Sequence, residues 1–214
     1  MKQETVVFDL GGVVFNWQPL QLIREVFPTR VSDDQGAARL LADVFQSHHT
    51  GGDWAQWDLG WVHPTELARR IALRLDMGAH EIMALIDALA PHMRVKQDTV
   101  ALIHDLKDAG HRLVFLSNMP QELAQWIERD HPFGDWFEDG VFSARVGHAK
   151  PDEGIFRCAI EKLNLDGTSP IFVDDMDFNI VAAQKMGWRP IKFTTADQTR
   201  RQLAVFGLLN SSSE

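Results

Sequence analysis

The chain has 214 residues, of which 30 are acidic and 21 are basic, so its formal net charge is −9. Non-specific binding to nucleic acid needs an excess of Lys and Arg, so we expect no nucleic-acid partner. The hydrophobic fraction of 45% and the charged fraction of 24% are typical of a globular protein and exclude general disorder. This length predicts one large domain, or a core domain that carries a smaller one.

No segment predicts export or a membrane partner. The N-terminal segment MKQETVVFDLGG lacks the apolar run and the cleavage site of a signal peptide. The apolar stretches are much shorter than the roughly 20 residues that a membrane-spanning helix needs. The single cysteine, Cys158, cannot form an internal disulfide. We therefore expect a cytoplasmic protein.

Four segments predict buried strands. They are rich in β-branched and aromatic residues without polar alternation, which is typical of strands covered on both faces of a parallel sheet. They span residues 5–8, 112–116, 170–173 and 189–193. Helical patterns separate them, and Pro120 and Pro151 each suit the first turn of a helix. The alternation predicts an α/β fold with a Rossmann-like parallel sheet.

A long segment after the first strand has a different pattern. Residues 17–91 contain no convincing strand, and their apolar residues recur at helical spacing. We expect a helical subdomain here, with the sheet domain formed by residues 1–16 and 92–214. Within this insert, His48, His49, Trp54 and Trp57 are candidates either to face a ligand or to pack internally.

Polar residues follow three of the predicted strands. In an open parallel sheet, ligands bind beyond the carboxyl ends of the strands. Carboxylates together with a hydroxyl and an ammonium fill a core poorly, but they suit a site for a metal and a phosphate. The residues that the fold would bring to this edge are Asp9, Ser117, Asn118, Lys150, Asp174 and Asp175.

The same residues carry a family resemblance. Asp9 in VVFDLGGVVF, Ser117 in LVFLSN, Lys150 in GHAKPDEGIF and Asp174-Asp175 in IFVDDMDFN resemble, in order, the four motifs of the haloacid dehalogenase superfamily. Within it, the chain is similar to the branch of bacterial glucose-1-phosphate phosphatases and the phosphatase domain of soluble epoxide hydrolases. The helical insert lies where that family has its cap.

The resemblance implies a metal-dependent phosphatase. Asp9 would attack phosphorus and form an aspartyl-phosphate that water hydrolyses. A Mg²⁺ ion would relieve the charge repulsion, with Asp9, Asp175 and the backbone carbonyl of Gly11 as ligands. Asp174 and Asn179 would support these ligands or act through water.

The resemblance also implies how the phosphate is held. Ser117 would donate a hydrogen bond to it, together with backbone amides near Leu10 and Asn118. Lys150 would set a positive charge against both the phosphate and Asp9. The expected partner is a small phosphorylated molecule, for example a sugar phosphate, and the oligomeric state is left open.

One position departs from the family pattern. Phosphatases of the superfamily usually have a second Asp two residues after the nucleophile, as general acid, and here Gly11 occupies that position. Three explanations are open: a substrate with a good leaving group, such as an anomeric or acyl phosphate; a proton supplied by a cap residue or by water; or a weak or degenerate enzyme. We favour the first, because the other motifs are intact.

Three alternative functions are also compatible with parts of this pattern. A 2-haloacid dehalogenase also lacks the second Asp, but it needs no Mg²⁺, and the acids Asp174 and Asp175 argue against it. A signalling receiver domain has its acid pair early in a chain of about half this length. A non-catalytic binding protein with the same fold is supported only by Gly11.

Overall fold

The computed structural model describes residues 3–46 and 51–210. Five parallel strands form one sheet in the order β3-β2-β1-β4-β5. The strands are β1 (Thr5–Phe8), β2 (Arg112–Ser117), β3 (Asp139–Phe142), β4 (Ile171–Asp174) and β5 (Arg189–Lys192). The α/β fold with a parallel sheet, predicted from the alternation of strands and helices, is confirmed.

The central strand β1 fixes the register of the sheet. Phe8 is paired with Phe115 of β2 and with Val173 of β4, so the three strands end at nearly the same level. Successive side chains of a strand face opposite sides of the sheet. Accordingly, Val6 and Phe8 pack into one apolar core, whereas Val7 packs into another on the opposite face.

Helices cover both faces of this sheet. They are α6 (Gln97–Asp108), α7 (Gln121–Asp130), α8 (Phe133–Trp136), α9 (Ser143–Val146), α10 (Glu153–Lys162), α11 (Asp177–Lys185) and α12 (Ala196–Val205). Pro120 is the N-cap of α7, one residue before the first turn in which it was expected. The helix expected to begin at Pro151 instead begins at Glu153, because the Asp152 side chain caps it by accepting from the Gly154 amide.

A helical insert lies between β1 and α6. Its helices are α1 (Pro19–Val26), α2 (Asp34–Phe45), α3 (Asp53–Asp58), α4 (Pro64–Leu75) and α5 (Ala79–His92). They bury a third apolar cluster, which includes Ile23, Leu67, Ile71 and Leu85. Four of the five helices follow predicted patterns, and the short α3 does not.

Strand β3 has no counterpart among the four predicted strands. It is short, and Gly140 interrupts its apolar pattern. A Cβ at Gly140 would lie 2.1 Å from the Phe115 ring, so the absence of a side chain there lets this ring pack across the neighbouring strand. Among the described residues, no helix has both the length and the apolar character needed to cross a membrane.

Candidate active site

Three neighbouring strands bring chemically active side chains to one edge of the sheet. Asp9 directly follows β1, Ser117 ends β2, and Asp174 ends β4. Because these strands are parallel and in register, their carboxyl ends meet at the same edge. The side chains predicted from the sequence to converge are therefore brought together by the sheet itself.

The ammonium group of Lys150 links two of the acids. Its Nζ lies 2.9 Å from Asp9 Oδ1 and 2.7 Å from Asp174 Oδ2. Lys150 is 4% exposed, Asp9 is 7% exposed, and Asp174 is fully buried. A buried ammonium is tolerated only when carboxylates and hydrogen bonds compensate its lost hydration, and this pair of contacts supplies that compensation.

Asp174 is surrounded by donors. Besides Lys150, its carboxylate accepts from Asn179 Nδ2, at 3.0 Å to each oxygen, and from the Met176 amide at 2.8 Å. The carboxylate is therefore occupied by protein groups. The side-chain oxygen of Asn179, Oδ1, is buried without a hydrogen-bond partner in the described structure.

Three carboxylates lie close enough to share a cation. Oxygens of Asp9, Asp174 and Asp175 all lie within 4.8 Å of one another. Among the described residues, the Lys150 ammonium forms ion pairs with Asp9 and Asp174 but not with Asp175. Oxygen donors of this kind suit a hard divalent cation such as Mg²⁺.

Burial and charge perturb the pKa values of this cluster. Burial raises the pKa of Asp9 to about 7, against the lowering effect of Lys150. Burial alone would lower the pKa of Lys150, but the charges of Asp174 and Asp9 outweigh it and raise that pKa above its usual value. Burial, followed by the negative charge of Asp174, also raises the pKa of Asp175.

Asn118 holds the backbone of Lys150. Its Nδ2 donates to the Lys150 carbonyl at 2.8 Å, and its Oδ1 accepts from the Lys150 amide at 2.7 Å. This reciprocal pair fixes the segment from which the ammonium extends. The amide of Leu10, expected to face a phosphate, instead donates to Asp9 Oδ1 at 2.7 Å.

The turn after β1 approaches the acids closely. Gly12 has a φ of +77°, and a Cβ built there would lie 2.3 Å from Asp175 Oδ2. Only glycine therefore permits this turn to pass beside Asp175. At Gly11, by contrast, a Cβ would meet no atom within 4 Å, so a side chain there would have room.

Asp9 and Asp175 line a cavity of about 370 Å³ between the sheet edge and the helical insert. The walls from the insert and its connections are mainly aromatic and aliphatic. The described lining residues from this part of the chain are Trp17, Pro19, Phe45, Trp54, Trp57, Asp58, Leu89 and Met93. Trp54 and Trp57 thus both line the cavity and pack internally, whereas His48 and His49 lie outside the described residues.

Two residues of this region were not among the sequence candidates. Asp58 lines the cavity and ends α3, and Ser143 begins α9 behind β3. Ser143 Oγ accepts from the Met119 amide at 2.8 Å and donates to the Asp58 carbonyl. The adjacent Trp57 donates from Nε1 to Glu122 Oε2 at 3.0 Å, so α3 is bonded to the sheet domain at two points.

Known proteins resemble this chain in sequence and in fold. The model of the family "haloacid dehalogenase-like hydrolase" matches residues 3–187. The sesquiterpene phosphatase astK of Aspergillus oryzae is 25% identical over 201 residues, which cover 94% of either chain. The solved structure of the HAD family enzyme bt-2542 from Bacteroides thetaiotaomicron, in complex with magnesium and inorganic phosphate, has a TM-score of 0.70. It is 20% identical and covers 90% of this chain and 95% of its own.

A solved dehalogenase has the same fold. The L-2-haloacid dehalogenase from Xanthobacter autotrophicus, with chloropropionic acid covalently bound, has a TM-score of 0.64 and 15% identity. The match covers 95% of this chain and 83% of that one.

Proposed function

The chain belongs to the haloacid dehalogenase-like hydrolases, and we propose that within this family it is a Mg²⁺-dependent phosphatase acting through an aspartyl-phosphate at Asp9. One observation carries this proposal. Asp9 and Asp175 line the cavity together with Lys150, which supplies the only buried ammonium among the described residues, and the fully buried Asp174 pairs with that ammonium. Carboxylates and an ammonium in this arrangement suit phosphoryl transfer, which depends mainly on positioning and electrostatics.

In the proposed reaction, Asp9 is the nucleophile. It lies at the end of the central strand, lines the cavity, and is oriented by the Leu10 amide and by Lys150. The Lys150 ammonium favours the charged form of Asp9 and would also attract the phosphate. Ser117 lines the same cavity and would donate a hydrogen bond to a phosphate oxygen.

The donor set fits a magnesium ion. Asp174 is occupied by Lys150 and Asn179, which leaves Asp9, Asp175 and the Gly11 carbonyl as the proposed ligands. Asn179, whose Oδ1 is buried and unpaired in the described structure, would accept from a metal-bound water. When bound, Mg²⁺ would offset the negative charge of the carboxylates and the phosphate.

Asn118 has a second proposed part besides the phosphate contact of its backbone amide. Its side-chain amide holds the Lys150 backbone. We therefore keep the phosphate contact for the backbone amide, and we assign the side chain to positioning Lys150.

The organic part of the substrate would contact apolar walls. Burying a hydroxyl without a hydrogen-bond partner is costly, and the described wall from the insert has few polar groups to offer a sugar. A phosphate ester of an apolar alcohol would instead gain from burial. The relative named as a sesquiterpene phosphatase supports this preference over a sugar phosphate.

A 2-haloacid dehalogenase is the second candidate. The likeness to a solved L-2-haloacid dehalogenase and the glycine at position 11 favour it. The three-carboxylate cluster argues against it, because that reaction needs no metal. A non-catalytic binding protein is the third candidate.

A single screen separates these functions. Phosphate release would be measured from apolar alkyl, sugar, nucleotide and acyl phosphates, with and without Mg²⁺, beside chloride release from 2-chloropropionate. We expect Mg²⁺-dependent phosphate release that Asp9→Asn abolishes and that the change of an exposed distant acid, Asp166→Asn, leaves intact. Chloride release without phosphate release would overturn the proposal, and turnover of neither class would favour a binding protein.

A further inference from the structure

Hydrolysis of an alkyl phosphate needs a proton for the departing oxygen, since an alkoxide is a poor leaving group. Position 11, where the superfamily usually has an acid for this step, is glycine. The described cavity wall contains three acids, Asp9, Asp58 and Asp175. Two of them are already assigned to nucleophilic attack and metal binding, which leaves Asp58.

The backbone of Asp58 is held against the sheet domain. Its carbonyl accepts from the fully buried Ser143, and a Cβ at the nearby Gly60 would lie 2.6 Å from the Ala144 carbonyl. Such close contact leaves little freedom for this part of α3. Asp58, which lines the cavity, is therefore held there by α9 of the sheet domain.

No charged group compensates the Asp58 carboxyl within residues 3–46 and 51–210. It has no ion pair or side-chain hydrogen bond there. The nearest packed elements direct their charges elsewhere, since Arg70 binds Gln56 and Glu66 while Arg74 binds Asp53. On the sheet side, Arg145 pairs with Glu128, and Glu122 accepts from the Trp57 indole.

The protonation of Asp58 fits an acid role. Burial raises its pKa to about 7. At neutral pH a large fraction of the carboxyl therefore keeps its proton. A general acid is most effective when its pKa lies near the working pH.

We propose that Asp58 is the proton donor of this enzyme, replacing from the insert the acid that position 11 lacks. The inference rests on the proposed phosphatase function. As the bond from Asp9 to phosphorus forms and the ester bond breaks, the Asp58 proton moves to the ester oxygen and the neutral alcohol leaves. Asp58 is then a carboxylate. It takes a proton from the water that attacks the aspartyl-phosphate, which releases phosphate and restores both acids.

The test compares two leaving groups. Octyl phosphate must release an alkoxide and needs the proton, whereas p-nitrophenyl phosphate releases a stable phenolate without help. We expect Asp58→Asn to lower kcat for octyl phosphate by about 10²–10⁴-fold, the usual range for general acid catalysis. For p-nitrophenyl phosphate, the decrease in kcat should be at least about 10-fold smaller, because its leaving group needs no general acid.

A rescue variant and a matched control complete the design. Because a Cβ at position 11 would meet no atom within 4 Å, Gly11→Asp in the Asp58→Asn background should restore octyl phosphate turnover. Asp87→Asn, which changes an exposed acid of α5, should leave both rates unchanged. Thermal unfolding of each variant checks that it is folded.

The outcomes distinguish two failures. If the unaltered protein releases phosphate from both esters and Asp58→Asn slows both equally, or slows neither, Asp58 is not the proton donor while the phosphatase function stands. If the unaltered protein with Mg²⁺ releases phosphate from neither ester, the proposed function fails, and the role of Asp58 fails with it.

Discussion

Ser143 donates a hydrogen bond from its hydroxyl to the backbone carbonyl of Asp58, and this contact joins the sheet domain to the insert beside the cavity. Ser143 itself is fully buried, and its Oγ also accepts from the Met119 amide. One hydroxyl thus fixes the loop after β2 and the end of α3 relative to each other.

Replacing this hydroxyl should weaken both connections. Ser143→Ala leaves the buried Met119 amide unpaired, so we expect a loss of about 1–3 kcal/mol in the free energy of unfolding. Turnover of octyl phosphate should fall more than that of p-nitrophenyl phosphate, because Asp58 loses its fixed position. Ser169→Ala is the matched control, since its hydroxyl donates to the Gly187 carbonyl far from the site. Equal losses on both esters would contradict the positioning role.

The raised pKa of Asp58 should appear in the pH dependence of stability. Its folded pKa is about 7, against roughly 3.9 in an unfolded chain, so between these values the folded state binds the proton more tightly. Stability from this group is therefore lost as pH rises through that window. We therefore compare the thermal unfolding midpoint, Tm, of Asp58→Asn with that of the unaltered protein. The Tm of the variant minus that of the unaltered protein should be larger at pH 8 than at pH 5, by about 2 °C or more. Differential scanning calorimetry at the two pH values measures it, and an unchanged difference would contradict the raised pKa.

The metal assignment predicts a separate effect at Asp175. Chelation with EDTA should abolish phosphate release, and added Mg²⁺ should restore it. Asp175→Asn should raise the Mg²⁺ concentration for half-maximal activity by at least about 100-fold, because even outer partners of a metal site contribute about 10–100-fold. Asp166→Asn serves as the control. If Asp175→Asn reaches half-maximal activity at the same Mg²⁺ concentration as the unaltered protein, Asp175 is not a ligand.

Lys150 should be essential to stability as well as to activity. Lys150→Met leaves Asp9 and Asp174 buried without their counter-charge, so we expect a loss of about 3–5 kcal/mol in the free energy of unfolding. The double variant Lys150→Met/Asp174→Asn should regain part of this loss, since one uncompensated charge is removed. Urea unfolding without Mg²⁺ measures the cycle, and additive losses would show that the two side chains are not coupled.

Much of the fold could be predicted because its signals are local. A run such as Val6-Val7-Phe8 ending at Asp9 indicates both a buried strand and the residue at its carboxyl end. Strand β3 was not predicted because its pairing depends on the Phe115 ring packing over Gly140, a contact between residues distant in the sequence. Helix boundaries shifted where a side chain such as Asp152 supplied the cap.

The site was predictable to the extent that strand ends define it. Asp9, Ser117 and the acid pair could be expected together, because parallel strands align their carboxyl ends. Lys150 lies between α9 and α10, and the family resemblance implied its place in the site. Asp58 could not be expected, since its partial burial arises where α3 contacts the sheet domain. No periodicity or spacing in the sequence marks an acid whose importance comes from its surroundings.

The positions of Asp9, Ser117 and Asp174 on three adjacent strands have a consequence for how such a protein can diversify. Their mutual distances are set by the hydrogen-bonded spacing of the strands, about 4.8 Å, and not by loops. Substitutions among the other insert residues that line the cavity, apart from Asp58, should therefore alter which ester is accepted while the groups at the strand ends keep their geometry. Only Asp58 would tie the insert to the proposed chemistry, so it is the one lining residue of the insert that such changes must spare.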